Sequence, residues 1–527
     1  MAEPFAEVAL QAGSYTFLRP SIDLSGPLNA DRTVLYRFNA EYTYEDGFRD
    51  FEQDVSRIFL SPVISWQIGD RTSLTAELEY LDEERPFDSG LPSVGNEVAD
   101  IPRDRILGEP NDVAEIQELR LRYLLEHGFN DNLTLRNSFR YQSSNTFDYA
   151  FRPFSVNPET RILSRGIRSN DDYFENYAMQ TNLIGEFTTG SIEHTLLFGI
   201  DLERQSIQGT NRGGVAPGIN IFDPVYDQID RPRRDELPLL GRDEQNRLDS
   251  LGIYLQDQIT LLDNLNLLIG GRFDIADRRN LNLTTASSTD AYDEAFSPRI
   301  GIVYQPIAPL SLYASYSQGF VPSLFTDENG SLLEPERGTQ FEIGARGELF
   351  NGGLIINLAA YEITKTNVAT FDPVEFFAIP VGEVRSRGVE LDVIGQLTDG
   401  WNIVASYAYT DAEITEDVDP NLVGRRVGLV PEHGASLWTT YELQRGNLQG
   451  LGFGVGVFFV GDRVDGTFEP IVNLPSYVRT DAAIFYRRNN WDVALNVKNL
   501  FDVNYIQTGF NTPGAPFTVV GSVSVQF

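Results

Sequence analysis

A chain of 527 residues with 76 Asp and Glu against 41 Lys and Arg, a net charge of -35, repels free polyanions, which excludes nucleic acid as a ligand class. It contains no cysteine, so disulfides, thiolate metal sites and redox motifs are excluded too. A mean hydropathy of -0.23 and the lack of any apolar run near about 18 residues argue against membrane helices, but not against a barrel whose strands are apolar on one face only.

Segments that alternate with a period of two fill the chain. They fall near residues 7–12, 17–24, 34–44, 55–66, 74–81 and 115–125, then 133–147, 172–187, 192–207, 248–261, 265–276, 296–305, 310–318 and 338–348. The series ends near 354–364, 386–397, 402–411, 433–444, 450–461, 478–487, 491–497 and 518–527. In one of them Val389, Leu391, Val393 and Leu397 interleave with Glu390, Asp392 and Gln396; in another Leu119, Leu121, Tyr123 and Leu125 interleave with Glu118, Arg120 and Arg122. One face suits lipid and the other suits water, whereas helical spacing would scatter both sets. The total is about 22, an even number as bacterial barrels require.

Connections alternate as well. Short turns such as Thr189-Gly190-Ser191, Asp263-Asn264, Asn351-Gly352-Gly353, Asp399-Gly400 and Asn489-Asn490 take every second joint. The joints between them are long, notably Asp82 to Ala114, Asp148 to Asp171 and Gln208 to Arg247. The expectation is an all-β, antiparallel, up-and-down transmembrane barrel forming a single domain over residues 1–527. Its short turns and both termini are expected to be periplasmic and its long loops extracellular, in the outer membrane. Met1, Ala2, Glu3 and Pro4 lead straight into the first strand without a basic region or an apolar core, so no signal peptide is expected within the chain.

Several runs, taken together and in order, resemble the barrel of the TonB-dependent siderophore receptors, most closely the ferric hydroxamate (ferrichrome) type. They are Ser297 to Gly319 (SPRIGIVYQPIAPLSLYASYSQG), Leu333 to Gly344 (LEPERGTQFEIG), Gly382 to Leu391 (GEVRSRGVEL), Ser406 to Glu413 (SYAYTDAE) and Leu495 to Asp502 (LNVKNLFD). The last strand, ending on Phe527 with Val519, Val523 and Val525 on its face, resembles the terminal signal of outer-membrane barrels. Most of these runs have structural explanations: Pro298 and Pro335 suit strand starts, and Asn499 and Asp502 suit local side-chain turns.

The resemblance implies a transporter and not an enzyme. Ferric siderophore would be its cargo, with iron arriving wrapped in its chelator and no cofactor bound directly. The inner-membrane TonB complex would drive release through a plug segment, and neither plug nor TonB-contacting segment is expected within this chain. A passive wide-pore porin and a docking surface for phage or colicin are the alternatives. Lack of cysteine around Gly509 to Pro516 departs from the ferrichrome pattern and leaves the chelator open.

By the same resemblance, ligand contacts come from aromatic residues of the upper wall and loops: Phe147, Tyr149, Phe151 and Phe154, with Phe222 in the fifth long loop and Phe320 beside the seventh. Aromatic faces can pack on an alkyl or hydroxamate chelate. The competing use is a membrane-interface girdle or a packed loop core. His127, His194 and His433 have no ligand spacing, and His127 is expected in a periplasmic turn. Asp171-Asp172, Asp327-Glu328 and Glu416-Asp417 read as solvated loop charge. Arg120, Arg122, Arg136 and Arg140 are expected on the polar wall, paired with Glu118 and other carboxylates. Gly452, Gly454 and Gly456, alternating with Phe453, Val455 and Val457, form a strand and not a dinucleotide loop.

Overall fold

The computed structural model describes residues 3–51, 54–371, 378–417, 419–466, 471–509 and 511–527. Its wall begins with β1 (Phe5–Gly13), β2 (Leu18–Pro27), β3 (Val34–Glu45), β4 (Val55–Gln67), β5 (Thr72–Pro86), β6 (Val113–Asn130), β7 (Leu133–Val156) and β8 (Ile162–Thr189). It continues with β9 (Ile192–Asn220), β10 (Leu239–Leu262), β11 (Leu265–Asn282), β12 (Ser287–Ile307), β13 (Leu310–Val321), β14 (Glu336–Leu349), β15 (Leu354–Phe371) and β16 (Ala378–Thr398). The last six are β17 (Trp401–Glu416), β18 (His433–Glu442), β19 (Leu451–Val460), β20 (Tyr477–Arg488), β21 (Trp491–Lys498) and β22 (Thr518–Gln526). Each pairs antiparallel with the next, and β22 pairs with β1 from Glu7↔Gln526 to Gly13↔Val520, so this 22-stranded sheet has no free edge. A single 3-10 turn at Arg234–Glu236 is the only helix among the described residues.

Alternation sets the two faces. Leu121 pairs with Tyr141, Tyr141 with Tyr177, Met179 with Leu202 and Leu202 with Leu251 across successive strands, building one apolar surface. Leu121, Tyr177 and Leu202 stand exposed there, as residues meant for lipid do. The opposite face carries paired charge: Arg122 with Glu77, Arg120 with Glu118, Arg136 with Glu126 at 2.7 Å and Arg37 with Asp23 at 2.5 Å. The expected carboxylate pairing of Arg120, Arg122 and Arg136 is therefore present, while Arg140 has no carboxylate partner among the described residues.

Connections at one end are tight, two residues each at 131–132, 190–191, 263–264, 399–400 and 489–490. At the other end lie those of 87–112, 221–238, 322–335, 417–432, 461–476 and 499–517. Both termini are at the tight-turn end.

The strands outrun the alternating pattern. β7 reaches Val156, β8 starts at Ile162, β9 reaches Asn220 and β10 starts at Leu239, so most of the joints expected at Asp148 to Asp171 and Gln208 to Arg247 are ladder. Beyond the lipid zone both faces meet water or other loops, so polarity contrast fades while backbone bonding continues. Pro298 lies inside β12 and not at its start. It precedes Arg299↔Ser317, where pairing to β13 begins, so its missing donor falls outside that ladder. His127 is also within a strand, β6, and bonds to Thr72 at 2.8 Å.

Candidate functional site

The outer ends of β6 to β10 project as a tongue, and the 87–112 and 221–238 connections fold onto it. Ladder register between β7 and β8 is unbroken from Leu133↔Gly185 to Pro153↔Arg165, so Phe147, Tyr149 and Phe151 share a sheet face with Phe139 and Tyr141, lower in the wall. On the tongue that face is covered by protein instead of lipid. Phe151, Ile167, Ala216 and Leu237 form one sealed cluster with Tyr149 against it. Ala99, Leu107, Leu163, Ile219 and Ile221 form a second, extended by Ile101 and Tyr226.

Charge is buried between the clusters. Arg165, whose side chain is fully buried, pairs with Glu109 at 2.9 Å and donates to the carbonyls of Leu107, Gly108 and Pro217. The Asp112 carboxylate accepts the backbone N–H groups of Glu109 at 2.8 Å and Phe151 at 3.0 Å and pairs with Arg231. Burial pushes that carboxyl up to about 6, against the opposing pull of these N–H groups and of Arg231.

The 87–112 connection also reaches across the mouth. Leu91 and Asn511 exchange bonds of 3.2 and 3.1 Å, Arg103 binds Asp502 and Asn504 at 2.7 Å each, and Glu97 pairs in parallel with Asn473. Arg49 donates to the carbonyls of Arg103 and Arg105, fixing the same segment from the side of β3. The mouth is thus spanned by one connection held from several sides.

The structure separates the six aromatic candidates. Phe151 is only 3% exposed and belongs to the packed interior of the cap. Phe147 lies under Arg234 at 4.9 Å, and Tyr149 under Arg231 at 4.8 Å. Phe154 and Phe222 are open to solvent, with Arg168 5.6 Å above the Phe154 ring and the Phe222 carbonyl accepting Arg105 at 3.2 Å. Phe320 sits on β13, six strands beyond β7, paired with Arg337, whose guanidinium is 5.7 Å from its ring.

Aromatic chemistry was foreseeable; its partners were not. Each of these rings except Phe222 carries a guanidinium, and Phe151 carries two, from Arg165 and Arg231. The signal was the Arg231-Pro232-Arg233-Arg234 run in an otherwise acidic chain. A ring offers an apolar face and the arginine beside it offers donors, so the cap is suited to an amphiphilic molecule with exposed oxygens. No group of three or more His, Cys, Asp or Glu side chains among the described residues is placed to hold a metal ion. His127, His194 and His433 are separated: His194 pairs with Asp257 at 2.8 Å and His433 bonds to Tyr407 at 3.0 Å.

A closed 22-stranded sheet with apolar exterior, charged lumen and heavy loops at one end defines an outer-membrane transport barrel. The chain is matched over residues 65–500 by the family described as TonB dependent receptor-like, beta-barrel, and it belongs to that family. The metal-pseudopaline receptor CntO of Pseudomonas aeruginosa is 34% identical over 550 residues, covering 100% of this chain and 76% of that protein. The ferrichrome outer membrane transporter/phage receptor of Escherichia coli is 29% identical over 567 residues, covering 100% of this chain and 74% of that one. The crystal structure of the siderophore receptor PiuA from Acinetobacter baumannii superposes with a TM-score of 0.89 at 22% identity, covering 100% of this chain and 82% of that one. At that identity the likeness speaks for the fold alone. Family and relatives are transport receptors, not enzymes, and the resemblance read from the sequence holds at family level.

Proposed function

We propose that this barrel imports a ferric siderophore of hydroxamate type, captured at the cap and passed through the lumen, with both termini on the periplasmic side. Coupling to the inner-membrane TonB complex is assigned to a segment distinct from the barrel wall. The observation that carries the reading is the cap, where Phe154 and Phe222 are solvent-facing beside the arginines 168 and 105. Aromatic faces pack on methylenes while guanidinium groups meet the chelate's outward oxygens. Iron is substrate here, and its chelator supplies the metal ligands. A receptor for metal-pseudopaline, the cargo named for the Pseudomonas relative, is the nearest competitor in substrate.

Single-channel conductance of the refolded chain in a planar bilayer, with and without ferrichrome, tests this. Saturable block by ferrichrome that weakens about tenfold in Phe154→Ala and Phe222→Ala, and not in Phe320→Ala, is the expected result. A large current indifferent to the chelate would overturn it in favour of a passive pore.

A second reading rests on the 221–238 connection, where Phe222, Val225 and Ile229 are all exposed and form an apolar patch on a loop. Such a patch suits a phage or bacteriocin, and the Escherichia coli relative is named as a phage receptor. Deleting residues 223–230 separates the two, since loss of agent binding with ferrichrome block retained marks a docking surface only.

A further inference from the structure

The three lumen-facing glycines of β19 are not vacant wall. Phe453, Val455 and Val457 are exposed on the lipid side, which turns Gly452, Gly454 and Gly456 inward. A Cβ at Gly454 would stand 2.9 Å from the Trp438 ring, and one at Gly456 2.5 Å from Trp438 and 2.9 Å from Phe458. A Cβ at Gly452 would strike the ring of Phe485. Rings from β18, β19 and β20 therefore lie flat on the lumen wall, and glycine is what lets them approach so closely.

They form a column. Register along β19 gives Gly452↔Phe485, Gly456↔Trp438, Phe458↔Arg479 and Val460↔Tyr477, running from the tight-turn end toward the mouth over about 25 Å of strand. Above it Tyr477 packs against Tyr505 at 4.5 Å. Guanidinium groups alternate with the rings: Arg487 lies 4.5 Å over Phe485, Arg479 4.6 Å over Phe458, and Arg463 5.9 Å over Tyr477. Arg479 is neutralised by Asp481, and Arg487 by Asp492. Arg463 is different: it is 4% exposed, has no carboxylate partner among the described residues, and one of its terminal nitrogens has no hydrogen-bond partner. Trp438 is half-buried with no guanidinium over it, the one bare rung between two covered ones.

Resting on the import reading above, we propose that this column is a second contact site inside the lumen, a way station for the chelate between cap and periplasm, centred on Trp438. Its ligand is a metal chelate with a methylene or aryl backbone to lie on Trp438 and carbonyl or carboxylate oxygens to meet Arg479 above and Arg487 below. Arg463 marks its upper end with an uncommitted donor. Space-filling over the glycines accounts for ring placement alone; it does not require a guanidinium at each end or a bare ring between.

Trp438 reports on itself. Of the four tryptophans, Trp66, Trp401 and Trp491 stand exposed on the lipid-facing set, and only Trp438 turns inward. With the full chain in liposomes of brominated lipid the other three are quenched, leaving Trp438 emission. Ferrichrome is expected to quench that emission saturably, and Trp438→Phe to abolish the response. Trp438→Ala should weaken ferrichrome block of conductance about tenfold, with Trp438→Phe close to native because it still fills the wall. Ferrichrome that blocks conductance while Trp438 emission is unchanged would overturn the way station and leave the import reading standing. Ferrichrome that neither blocks nor quenches would overturn both.

Discussion

Wall and cap bury opposite things. In the wall, large apolar residues such as Leu10, Ile253, Ile300 and Phe341 are exposed, and charged pairs line the interior. In the cap, Leu163, Ile167, Ile219 and Ile221 are sealed at 0 to 1% exposure, and the charge buried beside them is locked in pairs of arginine and carboxylate such as Arg165 with Glu109. The wall uses lipid as its apolar partner and needs no core; the cap stands in water and must build one. The same strands serve both, because β7 to β10 run through the lipid boundary with no break in the β7–β8 register below Pro153.

The largest expected effect is on the cap. Glu109→Ala leaves the buried Arg165 charge unpaired and should cost about 3 to 5 kcal/mol of local stability. Hydrogen exchange would show residues 87–112 and 221–238 opening while amides of β13 to β22 stay protected. If both regions loosened together, the separation of wall and cap would be wrong.

The wall answers to a different substitution. Ile300→Arg puts a charge on the lipid-facing set and should destabilise the barrel by about 2 to 4 kcal/mol, read as a lower denaturant midpoint in bilayers, with cap exchange unchanged. Burial raises Asp112 to about 6 from an ordinary 3.8, so the folded cap holds this proton more tightly than the unfolded one. Its contribution is fully present below about pH 4 and is lost as pH rises through 6, some 1 to 3 kcal/mol as an order of magnitude. Exchange in the cap should therefore quicken between pH 4.5 and about 7, beyond the intrinsic rate, and Asp112→Asn should flatten the change. The smallest effect belongs to the lumen pairs: Arg122→Gln, which breaks the half-exposed pair with Glu77, should move the denaturant midpoint by under about 1 kcal/mol.

Strand number, order and facing were legible because period-two alternation is local: Glu118, Arg120 and Arg122 against Leu119, Leu121 and Tyr123 need no tertiary information. The tight turns at Asp263-Asn264 and Asn489-Asn490 were legible for the same reason. Strand ends at the mouth were not. Between Asp148 and Val156 the ladder persists without the pattern that lipid imposes lower down, so it read as loop. The aromatic candidates were visible by type, but not their separation into a sealed Phe151, capped Phe147 and Tyr149, exposed Phe154 and Phe222, and a remote Phe320.

What the sequence determined by itself is the barrel: its closure count, its apolar skin and its family, all of which follow from side chains whose environment is set by strand position alone. What only the tertiary structure decided is the cap and the lumen column. The pairing of Arg165 with Glu109, the bonds between Leu91 and Asn511, and the placing of Trp438 over Gly454 and Gly456 join segments that alternation cannot relate. Local pattern fixes which way a side chain points, whereas distance between strands and loops far apart in the chain is fixed by closing the sheet and by burying the surface that closure leaves in water.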